Sequence, residues 1–319
     1  MPAPLALRTR IFATVLKRFA PEPADAHEMI ALRGRRDRLR ETVVGRALFG
    51  RIATGVVTTE RTAEVNGGTQ RLLVHRPAAA RPGAALPIVV NLHGGGWCLG
   101  APEQSAWLAS HVAAAVGAVV VSPSYRLAPE HPYPAAADDA WAVLRWIADH
   151  AADLGGDATR LAVMGDSAGG NLAAVCALHA REAGGPALRA QVLIYPAVEM
   201  YERYPSEEEH AHAPVLTSTQ MHIFSRLYLG EQYGVEDWQA SPLRADSHAG
   251  LPPTLILTAG HDPLRDHGSR YADRLRPAGV EVHLRDYGPA IHGFVSLPGV
   301  VPAARLALDD IAAFLRKRL

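Results

Sequence analysis

Three observations predict an α/β fold with a mostly parallel central sheet for this chain of 319 residues. From about residue 55, short segments rich in β-branched residues alternate with segments of helical character, the pattern of a sheet with helices on both faces. The short segments are continuous apolar runs, as strands buried on both faces require. Glycine-rich turns follow two of those runs.

The expected strands are 87–92 (Pro-Ile-Val-Val-Asn-Leu), 118–121, 161–164, 191–195 and 254–259, with a further one near 280–286. Between them, 103–116, 135–152, 168–184 and 265–277 read as helices. A C-terminal helix spans 303–318, and its terminal Arg316-Lys317-Arg318 suits the negative pole of a helix dipole. Residues 1–50 stand outside the alternation; Phe12, Val15, Leu16 and Phe19 recur at i, i+3, i+4 and i+7, one helical face expected to lie on the rest of the protein. Residues 199–240 interrupt it again, with the acidic run Glu207-Glu208-Glu209 and an aromatic-spaced helix from Met221 to Tyr228. The organisation expected is an N-terminal helical cap segment (1–50) and a catalytic domain (51–319) that carries 199–240 as a cap insertion over the carboxyl edge of the sheet.

Composition narrows the function classes. Lysine plus arginine (32) equals aspartate plus glutamate (32), so no basic field marks a nucleic-acid partner and no acidic excess marks a solvating tail. The two cysteines, Cys98 and Cys176, form neither a disulfide framework nor a C-x-x-C pair, and are expected to be free thiols in a cytoplasmic enzyme. The apolar stretch from Leu5 to Phe19 is broken by Arg8, Arg10, Lys17 and Arg18, so neither a signal peptide nor a membrane span is expected.

Gly165-Asp166-Ser167-Ala168-Gly169 fits G-x-S-x-G and stands where a strand gives way to a helix. That turn leaves no room for flanking side chains and exposes the serine hydroxyl, which makes Ser167 the candidate nucleophile. His93-Gly94-Gly95-Gly96 follows another buried strand. A dinucleotide-binding G-x-G-x-x-G would need glycine where Leu99 stands, and a phosphate-binding loop would need lysine at Ala101. The amide groups of Gly94, Gly95 and Ala168 are then suited to hold an oxyanion.

A serine hydroxyl needs a base. Asp262 follows the strand 254–259 and His292 follows the strand near 280–286, giving the chain order serine, aspartate, histidine that this strand-and-turn context uses. Asp262 could also cap a helix before Pro263, with Asp266 as a rival for its place, and His292 could be a loop histidine. Asp166 is open between packing and anchoring the site. His210 and His212 lack a third ligand at metal-binding spacing and read as a solvated cap face, and Cys98 reads as an apolar filler.

Five segments carry a resemblance: His93-Gly94-Gly95-Gly96-Trp97, 125–132 (Tyr-Arg-Leu-Ala-Pro-Glu-His-Pro), Gly165-Asp166-Ser167-Ala168-Gly169-Gly170-Asn171, 262–266 (Asp-Pro-Leu-Arg-Asp) and His292-Gly293-Phe294. From about residue 85 to its end the chain resembles the hormone-sensitive-lipase-like esterases of the α/β-hydrolase fold. The resemblance implies a triad of Ser167, Asp262 and His292, an oxyanion hole of Gly94, Gly95 and Ala168, and a helical cap. It also implies hydrolysis of short- to medium-chain carboxylic esters, a small-molecule ester as partner, no cofactor or metal, and often a homodimer. His267 departs from it, standing where relatives commonly carry an acid. An amidase or peptidase with the same triad and a non-catalytic receptor on the same scaffold are the competing readings.

Overall fold

The computed structural model describes residues 3–19, 26–81 and 83–319. Its first half contains α1 (Leu7–Phe19), α2 (Ala26–Glu41), α3 (Val43–Phe49), β1 (Val56–Val65), β2 (Gly68–Pro77), β3 (Leu86–Leu92), α4 (Ala106–Val116), β4 (Val119–Pro123) and α5 (Ala135–Asp149). The second half contains β5 (Gly156–Asp166), α6 (Ala168–Glu182), β6 (Leu188–Ile194), α7 (Pro205–Glu209), α8 (Ser218–Leu229), β7 (Thr254–His261), α9 (Arg265–Leu275), β8 (Val282–Ile291) and α10 (Ala303–Arg316).

The strands make one eight-stranded sheet in the order β1-β2-β4-β3-β5-β6-β7-β8. Pairing is parallel from β4 through β8 and antiparallel only where β2 meets β1 and β4. Side chains alternate between the two faces of each strand, so the continuous apolar runs feed two separate cores. Ile88, Val90 and Leu92 of β3 join Val119 and Val121 of β4 in one core, which α5, α6 and α9 cover. Val89, Val120, Ala162 and Met164 belong to the other core, under α4 and α10. Each fully buried Val, Leu or Ile is worth about 1.5–3 kcal/mol, enough for burial to override weaker local preferences along these strands.

Two antiparallel strands precede the expected set. Strand β1 returns as β2 through Asn66-Gly67, both at positive φ (51° and 73°), the backbone of a tight two-residue hairpin. The Asn-Gly pair was the available signal, but β1 is largely exposed and lacks the apolar run that marks the inner strands.

Helix α1 lies on the body through a face rotated from the expected one. Thr9 and Ala13 are buried and Phe12 and Leu16 half-buried, whereas Val15 is 52% exposed. Thr9 Oγ1 donates to the carbonyl of Val300 at 2.7 Å, and only small residues allow so close an approach of helix and loop. The side chain of Phe19, the fourth member of the expected stripe, lies outside the described residues. No described helix is long and apolar enough to cross a membrane.

Ile147 on α5 is fully buried in the first core. Ile147→Ala is expected to destabilise the fold by about 2–5 kcal/mol. Urea denaturation checks this, and catalysis by the folded fraction should stay unchanged.

Candidate active site

Ser167 sits on the single-residue turn between β5 and α6, at φ 56° and ψ −118°. A non-glycine residue there is strained and persists only where its surroundings over-determine it. Ser167 N–H donates to Ile194 C=O at 2.8 Å, and its own carbonyl accepts from Asn171 N–H at 3.0 Å and Ala197 N–H at 3.2 Å. The flanking glycines let α6 press on the sheet. A Cβ on Gly165 would lie 2.1 Å from Gly169 O, and one on Gly169 would lie 2.0 Å from Leu92 O.

His292 and Asp262 complete a continuous hydrogen-bonded chain. His292 Nε2 is 3.0 Å from Ser167 Oγ, and His292 Nδ1 is 2.7 Å from Asp262 Oδ2. Asp262 is fully buried, and its other oxygen accepts from Leu264 N–H at 2.9 Å. A buried carboxylate needs such partners to remain ionised. Asp266, the rival acid, instead accepts from Ser206 N–H at 3.0 Å and from Arg265 Nε at 3.1 Å, and so anchors α7.

The glycine loop differs from expectation at Gly94. Its N–H donates to Asp166 Oδ1 at 3.0 Å, so it is already engaged and cannot also serve an oxyanion. The amides of Gly95 and Gly96 meet no acceptor among the described residues, and both glycines line the pocket that contains Ser167 and His292. Ala168 N–H opens α6, where the first-turn amides have no partner within the helix. The bond to Gly94 also resolves Asp166: it joins the nucleophile turn to the glycine loop across 72 positions. His93 is scaffolding, since burial pushes its pKa down to about 4 and its ring stacks on Tyr125 at 4.3 Å.

The pocket has a volume of about 810 Å³. Phe12, Leu16, Leu39 and Phe49 from the N-terminal helices line it together with Met221 and Phe224 from α8. Glu199, which sequence reading passed over, also reaches the pocket; its carboxylate is held by Arg244 Nε at 2.7 Å and by the amides of Met200 and Tyr201. Its partner Arg244 lies 45 positions away, so no local motif marks the pair.

His210 is buried rather than solvated, because it packs 3.2 Å from Arg265 Nη1, while His212 lines the pocket. No group of three or more His, Cys, Asp or Glu residues is arranged to hold a metal among the described residues. Both cysteines are free and buried, and burial pushes the Cys98 thiol up to about 12, away from the reactive thiolate. His267 is fully enclosed with both ring nitrogens unpartnered, and burial holds its pKa down at about 4.

A family model described as alpha/beta hydrolase fold matches residues 89–296. Carboxylesterase NlhH of Mycobacterium tuberculosis (strain ATCC 25618 / H37Rv) is 44% identical over 265 residues, covering 82% of each chain. The ethyl acetate hydrolase of Pseudomonas putida is 34% identical over 257 residues, 80% of each chain. Among solved structures, an esterase of Pyrobaculum calidifontis superposes with a TM-score of 0.87 at 38% identity, covering 98% of this chain and 99% of that one.

The buried carboxyl of Asp166 generates a prediction about stability. Desolvation raises its pKa to about 6, against the lowering effect of Gly94 N–H. It therefore binds its proton more tightly folded than unfolded. Its stabilising contribution is complete below about pH 4 and is lost as pH rises through about 6. Asp166→Asn keeps an oxygen for Gly94 without the charge, so it should be more stable than the parent at pH 8 by about 1–3 kcal/mol. That gap should close at pH 4. Urea titrations at the two pH values decide, and a gap independent of pH would assign the effect to packing.

Proposed function

We propose that this chain, which belongs to the alpha/beta-hydrolase fold family and is a carboxylic ester hydrolase, works through an acyl-enzyme formed on Ser167. The observation that carries the mechanism is the unbroken chain from Asp262 through His292 to Ser167. His292 Nε2 takes the hydroxyl proton as Ser167 Oγ attacks the ester carbonyl. Asp262 receives the Nδ1–H bond, which fixes the tautomer and stabilises the imidazolium. The tetrahedral oxyanion is held by the amides of Gly95, Gly96 and Ala168, with Gly96 in the place first expected for Gly94. When the carbon–oxygen bond of the alcohol breaks, His292 protonates the leaving oxygen. Water then attacks the acyl-enzyme by the same route and frees the acid.

The described residues of 1–50, together with 199–240, act as the cap in this reading. Their aromatic and aliphatic side chains give the pocket its apolar wall, which suits the acyl chain of a carboxylic ester. The names of the relatives, carboxylesterase and ethyl acetate hydrolase, support the same substrate class.

A sulfonyl fluoride should label Ser167 alone, and Ser167→Ala should abolish hydrolysis without loss of fold. Asp262→Asn should lower kcat by roughly 10⁴-fold, because the wrong tautomer of His292 faces the serine. Asp266→Asn should be mild. An adduct mapped elsewhere by mass spectrometry, or the reverse ranking of the two aspartates, rejects the assignment. With aryl esters of rising acyl length, kcat/KM should fall from short and medium chains to palmitate.

A further inference from the structure

We infer that Arg33 on α2 is a positioning residue for the loop that presents Gly95 and Gly96, an inference that rests on their assignment as oxyanion donors. Gly95 and Gly96 stand at φ 129° and 59°, which glycine adopts freely, but Trp97, which carries a side chain, stands at φ 58° and is strained. Such a conformation holds only if contacts from outside fix it.

Those contacts converge on residues 96–98. Arg33 Nε donates to Cys98 C=O at 2.7 Å, and Arg33 Nη2 donates to Ala128 C=O at 2.6 Å. Ala128 N–H in turn donates to Trp97 C=O at 3.0 Å, so one guanidinium closes a staple between the loop and the segment beside it. Glu130 orients that guanidinium from the other side, at 2.6 Å from Nη1 and 2.9 Å from Nη2. From the opposite cap segment, Tyr228 stacks on Trp97 at 4.4 Å and 6°, and the Phe224 ring fills the space a Cβ on Gly96 would need. The loop is thus gripped between α2 and α8, and Arg33 supplies the polar half of the grip.

Arginine suits the place because its planar fork spans two carbonyls and a carboxylate at once, a geometry that the single centre of an ammonium meets only in part. The ion pair alone carries little, since Glu130 is 42% exposed and pairs of that kind contribute weakly. The bonds to Cys98 and Ala128 therefore matter more than the charge. Removing them frees the loop to relax, moving the Gly95 and Gly96 amides relative to the oxyanion while leaving the ester-binding wall in place. The loss then falls on kcat rather than on KM.

The test compares Arg33→Ala, Arg33→Lys and Glu130→Gln in the full chain. It measures kcat and KM on a short aryl ester, the inhibition constant of an aryl trifluoromethyl ketone, and the melting temperature. The ketone carbon accepts Ser167 Oγ and its oxygen becomes the oxyanion, so its affinity reads the donors directly. Arg33→Ala should lower kcat about tenfold to a hundredfold with KM within about twofold, and weaken the ketone by the same factor as kcat. Arg33→Lys should recover part of both, and Glu130→Gln should stay within about threefold of the parent. Parent-like kcat and ketone affinity in Arg33→Ala, or a loss confined to KM, overturns the inference. If Arg33→Ala does not fold, Arg33→Lys decides by whether kcat and ketone affinity fall together. A parent protein that forms no adduct with the ketone refutes the Ser167 and oxyanion assignment itself, whatever the Arg33 variants do.

Discussion

The structure depends on how closely the turn at Ser167 lets helix α6 approach the sheet. With Gly169 backbone against the carbonyl of Leu92, any side chain at 165 or 169 would push the helix off the strands. The serine is forced to positive φ and its hydroxyl is thrust beyond the carboxyl ends of the parallel strands. Everything else in the site comes to meet it there. Asp262 follows β7 and His292 follows β8, because parallel strands bring their carboxyl ends to one edge.

Charge at that edge is handled by backbone amides. Asp262 and Asp166 are both buried, and an unpaired carboxylate there would be costly. Asp262 has an amide and an imidazole as its partners. Asp166 has the amide of Gly94, and its raised pKa measures how incompletely that bond replaces water. Spending Gly94 on Asp166 fixes the start of the glycine loop, so the next two amides are the ones left facing the pocket.

What was legible in the sequence follows the range of the interaction. The inner strands, the helices and the serine turn are local patterns of apolar period and glycine, and could be read within a few residues. The order serine, aspartate, histidine could be read because each follows a strand. In the proposed donor set Gly96 replaces Gly94, because the bond that engages Gly94 comes from 72 positions away, and nothing near Gly94 announces it. Helix α1 buries a different face from the expected one for a related reason. Its apolar residues wrap most of its circumference, with Leu7, Ile11 and Val15 exposed, and contact with the 300 region rather than hydrophobic period selects the buried face.

The two halves of the site therefore differ in what holds them. The turn at Ser167 is tied by bonds to β6 and its following residues and by the fit of α6, all within the sheet domain. The glycine loop is tied at its start by Asp166, but at Gly96, Trp97 and Cys98 it leans on Phe224, Tyr228 and Arg33, which come from chain segments on either side of the pocket. Those same segments supply the apolar wall. A change at Phe224 that reshapes the wall for a different ester therefore also bears on Gly96, one of the proposed donors, through a loop whose residues 95–97 all stand at positive φ.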